Sequence, residues 1–384
     1  MKRKAFIIKD ANGNIDYKKL MKSASDFIKD TFNLRPKTIV GIDIGTSAVK
    51  VAELTKINNS EYKLARFASV SLPEGTIMED EIVKEDDLIH AIKVACINAK
   101  ITGELACIGL SGINTTVKKI QMGVGSDDEI EDQLFWEAEQ YLNFSPEDAS
   151  LGFHKLGMNE GGGIDIILAA AKNDLIERFK DVVEKTDHLK VKIVDLNPLA
   201  LLNIFEYVLE EVIAEPDTAW LYIDIGSQKS TFMIYRNKSM VFLKEIMFGG
   251  MMITEEIQRR LAVNYIQAED LKIQVDANGN LPENIVEITS EMMEAFFSEI
   301  KKSIDFYLKT TSDVTFARCY VTGGSAILSG LISNLEALLD IEVEIFNPFT
   351  RLQYDDRKIE ESELGHISTT GVVALGLAMR EWKK

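Results

Sequence analysis

The chain is short of cysteine, of histidine and of positive charge, and it has no long apolar run. Its three cysteines, Cys96, Cys107 and Cys319, form no CxxC pair. They read as small buried apolar residues in a reducing compartment, so the cytoplasm is the expected location. His90, His154, His188 and His366 are scattered without ligand spacing and are expected at the surface or in satisfied core positions. Lys+Arg number 43 against Asp+Glu 61, a net charge of −18. That balance argues against a general nucleic-acid binder, which needs a basic surface to displace phosphate counterions. One local basic face remains open. No apolar run approaches the roughly 18 residues that cross a bilayer. The apolar stretch behind the basic start Met1-Lys2-Arg3-Lys4 is too short for a secretory leader. There is also no GxxxxGK[ST] phosphate loop, no HExxH pair and no GxSxG elbow.

What is present is enough apolar material for a core. Hydrophobic residues make up 46% and charged residues 27% of 384 residues, which predicts a folded chain of two or three domains. Residues 1–37 stand apart. They hold ten Lys/Arg and four Asp/Glu, a net of +6, which leaves −24 for the rest. Tyr17, Leu20, Met21, Ala24, Phe27, Ile28 and Thr31 recur at helical spacing there, so an amphipathic helix is expected. It packs on the body or on a partner, or it meets an anionic membrane surface.

The body begins at Lys37. Strands are expected over 38–45, 48–56 and 61–72, a helix over 87–100 and a strand over 105–110. Ser126-Asp127-Asp128-Glu129 is a capping-box pattern opening a helix with Ile130, Leu134, Ala138, Tyr141 and Leu142 on one face. Strands over 151–156 and 164–170 flank Gly161-Gly162-Gly163, which reads as a hairpin tip. A strand over 191–196 leads through Asn197-Pro198 into a helix to about residue 211. Beyond the linker 214–217 come a meander over 219–247 and helices over 252–262, 268–273 and 282–309. The chain closes with a strand over 316–322, a helix over 328–339, a strand over 341–346 and one helix over 369–382.

One internal similarity organises this pattern. Ile39-Val40-Gly41-Ile42-Asp43-Ile44-Gly45-Thr46-Ser47 is echoed by Trp220-Leu221-Tyr222-Ile223-Asp224-Ile225-Gly226-Ser227-Gln228. Side chains alternate along a strand, so Asp43 and Asp224 each leave the apolar face at a strand end, beside a glycine turn. Gly45 and Gly226 let backbone N–H groups approach a phosphate, and Thr46, Ser47, Ser227 and Ser230 add hydroxyls. Two such carboxylates facing one site would hold Mg²⁺ through its waters. Lys50 can meet phosphate charge. One copy alone would read as a structural hairpin; two copies in equal context reverse that. A third element, Thr322-Gly323-Gly324-Ser325, runs from a strand into a helix start. It is either an ordinary loop or a close approach of backbone to a flat ligand such as a nucleoside.

In order, these elements resemble the actin/hexokinase/DnaK-type ATPase superfamily. The resemblance covers roughly residues 38–382. It implies an α/β fold of duplicated actin-like (ribonuclease H-like) domains around a cleft that binds ATP and Mg²⁺. Asp43 and Asp224 would serve the metal. Gly45, Thr46, Ser47 and Lys50 form the first phosphate hairpin, and Gly226, Ser227, Gln228 and Ser230 the second. Gly323, Gly324 and Ser325 form the adenosine loop. Glu269 and Lys272 lie on the ribose side. Residues 194–200 and 371–378 match the two helical connections. Within the superfamily, Gly41–Leu54, Glu137–Leu142, Ile166–Lys172 and Val194–Leu201 most resemble the PilM family of type IV pilus assembly, in the branch that includes FtsA. This resemblance implies an inserted subdomain. The expected division is 1–37 extension, 38–118 subdomain 1A, 119–190 inserted 1C, 191–215 1A, 216–257 2A, 258–315 2B, 316–345 2A and 346–384 1A. It also implies a cytoplasmic component of the inner-membrane pilus assembly complex. That component would hold the N-terminal cytoplasmic peptide of a PilN-like protein in a groove formed by residues 115–121 and 127–142. Through such partners and other pilus assembly proteins it would sit at the cytoplasmic face of the inner membrane.

Two departures qualify the resemblance. Residues 1–37 precede the usual start of the family's core. Asn197 also stands where many superfamily members carry an acid, with Asp195 two residues earlier. Asn can hold water but cannot accept its proton, so hydrolysis is expected to be slow or absent, with Asp195 and Asn197 the weak catalytic candidates. The alternatives are a small-molecule kinase of the same superfamily and a filament-forming, FtsA-like cell-division protein.

Overall fold

The computed structural model describes residues 38–58, 60–159, 161–212, 218–275, 281–311 and 314–381. The helix expected within 1–37 lies outside them. Strands β1 (Ile39–Ile44), β2 (Ala48–Lys56) and β3 (Tyr62–Ser71) form an antiparallel meander. The hairpin β4 (Ile77–Met78) and β5 (Glu81–Ile82) and helix α1 (Glu85–Asn98) follow, and β6 (Leu105–Leu110) enters parallel to β1. Next come β7 (Thr115–Met122), α2 (Asp127–Glu137), β8 (Ala149–Met158), β9 (Ile164–Lys172) and α3 (Asn173–Glu184). Strand β10 (Lys190–Leu196) pairs parallel to β6 and runs into α4 (Asn197–Leu209).

The pattern then repeats. Strands β11 (Thr218–Ile225), β12 (Ser230–Arg236) and β13 (Ser239–Ile246) form a second meander. Helices α5 (Gly250–Leu261), α6 (Tyr265–Ile273) and α7 (Glu283–Thr310) lead to β14 (Thr315–Thr322), α8 (Leu331–Leu339) and β15 (Glu342–Ile345). The return passes through β16 (Gln353–Tyr354), α9 (Leu364–Thr370) and α10 (Val372–Ala378). The sheets have orders β10-β6-β1-β2-β3-β16 and β13-β12-β11-β14-β15. In both, three antiparallel strands continue on the far side of the first strand into two parallel ones. The duplication read from the sequence is thus a duplication of topology, and the fold is that of actin-like duplicated domains.

The second sheet divides its side chains between two cores. Trp220, Tyr222, Met233, Tyr235 and Tyr320 join the core of the first half, while Leu221, Ile223, Phe232, Ile234, Cys319 and Val321 join the core with α5, α7 and α8. This is strand alternation at work. Helices α4 and α10 pack on the first sheet and on each other, and Phe205 of α4 meets the rings of Tyr222, Tyr235, Tyr320 and Phe346. Asp224, two residues after Tyr222, shares its face and is aimed at the first half.

Strands β7, β9 and β8 make a separate three-stranded sheet. Ile130 and Leu134 of α2 join its own small core. Ser126 caps α2 as the sequence suggests, with both halves of the capping box formed. Residues 119–190 do not all pack together: Leu175, Phe179, Val182 and Val183 of α3 are buried in the first core instead. Helix α3 was not among the expected elements. The expected single helix over 369–382 is two short ones meeting at Gly371, where a Cβ would come within 2.8 Å of the Phe67 ring.

Candidate functional site

The two repeated turns close with the same bond. The Gly45 N–H donates to the Ala48 carbonyl at 3.1 Å, and the Gly226 N–H to the Lys229 carbonyl at 3.0 Å. Strand register repeats too: Asp43 pairs with Lys50, and Asp224 with Thr231. Both turns line one cleft, with Asp43, Gly45, Thr46, Ser47 and Lys50 from the first half and Asp224, Gly226, Ser227 and Gln228 from the second. Gly323 and Gly324 border the same space. Gly323 has φ +96°, and a Cβ there would lie 2.2 Å from the Ile225 carbonyl oxygen, so only glycine lets this loop cross the end of β11.

The charges are uneven. Lys50 Nζ lies 3.2 Å from Asp43 Oδ2, both little exposed. The Asp224 carboxyl is pushed up to about 7, first by burial and then by the Asp43 charge, with Lys50 pulling the other way. Two hard oxygen donors that resist joint ionisation suit a divalent cation, and Mg²⁺ with retained waters fits that donor set. Among the described residues no cluster of three or more metal-ligating side chains occurs, so waters and phosphate would complete the coordination. Asn197 also lines the cleft; its Nδ2 lies 3.5 Å from Ser111 Oγ, and its buried Oδ1 has no partner. An acceptor left open there can take a bond from a water or ligand.

Ser325, Glu269 and Lys272 form an adjoining cluster. Ser325 Oγ donates to the Gly226 carbonyl at 2.9 Å, tying the third loop to the second turn. Lys272 Nζ reaches Glu269 Oε1 at 2.6 Å, Thr254 Oγ1 at 2.8 Å and the Gly250 carbonyl at 3.2 Å. Glu269 also accepts from Thr254.

Two expected residues are placed elsewhere. Ser230 is 1% exposed and donates to the Phe248 carbonyl at 2.7 Å. It shares the face of Phe232, and its neighbour Thr231 lines the cleft instead. Asp195 is held by Arg380 and by the Leu196 N–H, outside the cleft lining, so it cannot serve as a base there. Asp80, Lys229, Thr231, Glu245, Thr369 and Thr370 line the cleft without having been singled out. Lys229 could have been found by its place in the second turn, at the position equivalent to the first turn's Ala48. Nothing local marks Asp80.

Among the described residues no helix is long and apolar enough to cross a membrane. A search of the curated proteins finds cell division protein FtsA of Enterococcus hirae, 22% identical and covering 80% of this chain and 78% of that protein. Among solved structures, the PilM-PilN type IV pilus biogenesis complex matches at 26% identity with a TM-score of 0.79, covering 90% of this chain and 99% of that chain. Ethanolamine utilization protein EutJ of Carboxydothermus hydrogenoformans shares the fold at 15% identity and a TM-score of 0.52, covering 90% of each chain. The family model described as type IV pilus assembly protein PilM matches residues 41–382. With both turns, the cleft and the third loop inside that span, the chain belongs to the PilM family of type IV pilus assembly proteins.

Proposed function

We propose that the cleft binds ATP with Mg²⁺ and that the nucleotide acts as a conformational ligand of a pilus assembly component. The observation that carries this reading is the pair of turns, closed by the same backbone bond, that bring Asp43 and Asp224 into one cleft. Bound Mg²⁺ would offset the two carboxylates and the phosphate charge together. Gly45, Thr46, Ser47, Gly226, Ser227 and Gln228 would meet phosphates, with Lys50 adding a cation. Gly323, Gly324 and Ser325 would border the adenosine, and Glu269 and Lys272 the ribose. Hydrolysis is slow or absent in this reading, because Asn197 cannot accept a proton from water. A nucleotide that prefers one closure of the two halves biases partner affinity by the same differential.

The partner in this reading is the N-terminal cytoplasmic peptide of a PilN-like membrane protein, which would hold the chain at the cytoplasmic face of the inner membrane beside other assembly proteins. The match to a PilM-PilN complex supports it, as does α2, which leaves Phe135 and Trp136 exposed at 42% and 80%. We assign β7 through β9 with α2 to the inserted subdomain 1C. The rest of residues 38–215 and the segment from 346 form 1A, and the second sheet with α5 to α8 forms 2A and 2B. Calorimetry of the full chain with ATP, with and without Mg²⁺, tests the nucleotide. A synthetic peptide of the first residues of the PilN-like protein tests the partner. Absence of Mg²⁺-dependent ATP binding would remove the first half of the reading, and absence of peptide binding the second.

A further inference from the structure

The cleft is drawn in. Its cavity measures about 120 Å³, below the roughly 300–1,000 Å³ of a small-molecule site. One ion pair spans it. Lys229 Nζ lies 2.6 Å from Asp80 Oδ1, joining the second turn to the β4–β5 hairpin of the other half across 149 residues of chain. Both side chains are under a fifth exposed, so solvent screens the pair little.

The hairpin is built to hold Asp80 there. Glu79 and Asp80 form its two-residue tip with φ of +48° and +66°. Such a tip prefers Asn, Asp or Gly, so Asp80 suits its place while Glu79 is held there against local preference. Gly112, at φ +104°, leaves the room that the carboxylate fills: a Cβ there would lie 1.7 Å from Asp80 Oδ2. Arg178 bonds the Ile82 carbonyl and pairs with Glu81, fixing the hairpin to α3. The anionic tip is therefore aimed at the cleft, where it would repel phosphate.

We propose that Lys229 is a phosphate-binding residue and that Asp80 competes with phosphate for it, a latch between the second turn and the β4–β5 hairpin that nucleotide must displace. The proposal rests on the nucleotide reading above. Phosphate takes the Lys229 ammonium, Asp80 loses its counter-ion, and the β4–β5 hairpin is freed from the second turn. Asp80 thus lowers nucleotide affinity and ties the second turn to the β4–β5 hairpin, while Lys229 serves either partner.

The test is calorimetry of ATP–Mg²⁺ on the full chain, with scattering and limited proteolysis of the nucleotide-free protein. Asp80→Asn keeps the shape and removes the charge. It should bind ATP about tenfold more tightly, within the usual span of coupling between sites, and be more open without nucleotide. Lys229→Gln should bind about tenfold more weakly and also be more open. The exchanged pair Asp80→Lys with Lys229→Asp should restore closure of the nucleotide-free protein. If wild type binds ATP and Asp80→Asn binds it no better, the latch is overturned while the nucleotide reading stands. Unchanged affinity in Lys229→Gln removes Lys229 from the phosphate site. No ATP binding by wild type or Asp80→Asn removes both readings.

Discussion

Lys50 and Asp43 face each other as register partners on adjacent strands, with the ammonium 3.2 Å from the carboxylate. The corresponding pair in the second half is Thr231 and Asp224, so only one of the two repeated carboxylates has a cross-strand cation. Asp224, pushed up first by its burial and then by the Asp43 charge, resists ionisation although Lys50 pulls the other way.

Replacing Asp43 or Asp224 by Ala should abolish Mg²⁺-dependent ATP binding and leave the fold intact. Each change removes a metal-facing oxygen donor, while the core-facing residues Ile42, Ile44, Ile223 and Ile225 remain. Titration calorimetry and circular dichroism check it. Wild-type affinity in both variants contradicts the assignment.

The Asp224 carboxyl, pushed up to about 7, also predicts a pH effect in metal-free protein. Between the ordinary Asp value of 3.8 and about 7, the folded state keeps a proton that the unfolded chain has released. Stability from this group therefore falls as pH rises through that window. Asp224→Asn does not titrate, so its stability relative to wild type should grow with pH and level off above about 7. Urea unfolding with chelator across that range measures it. A difference independent of pH would show that Asp224 ionises normally.

Asn197→Asp should raise ATP hydrolysis from a low wild-type rate. The side chain keeps its size beside Gly109 and gains a group able to take a proton from water. General-base assistance is worth about 10²–10⁴-fold. A fast wild-type enzyme, or sugar phosphorylation, would favour the kinase alternative over a nucleotide-switched assembly component.

Phe205→Ala should cost about 3–5 kcal/mol of stability, the usual range for a large aromatic lost from a core. Phe205 is fully buried and touches four aromatic rings contributed by β11, β12, β14 and the chain just beyond β15. Chemical denaturation reads this directly. A loss below about 1 kcal/mol would mean that the surrounding rings close the gap.

Much of this was legible in the chain because local rules repeat. The alternation around Asp43 and Asp224 and the capping box at Ser126 appear in the sequence and in the fold. Ser230 was misread because nearness to a turn was weighed above strand alternation, which turns Thr231 inward and Ser230 away. Helix α3 has a helical apolar pattern in Leu175, Ile176, Phe179, Val182 and Val183, but it directly follows a strand without a side-chain cap. Asp80 was out of reach for a different reason. Its meaning depends on Lys229 and Gly112, which only the tertiary fold brings beside it.

The ring cluster around Phe205 has a mechanical consequence. The second sheet bears on the first half at these rings, among other contacts, so a turn of the second half about them would move its distant end most. Gly226 lies four residues beyond Tyr222 along β11, about 13 Å of extended chain. With that lever arm, a rotation of about 10° displaces the turn by about 2 Å. A hydrogen-bonded ion pair reaches little beyond 3 Å, so such a rotation would strain or part the Lys229–Asp80 pair, which lies farther from the rings than Gly226 does.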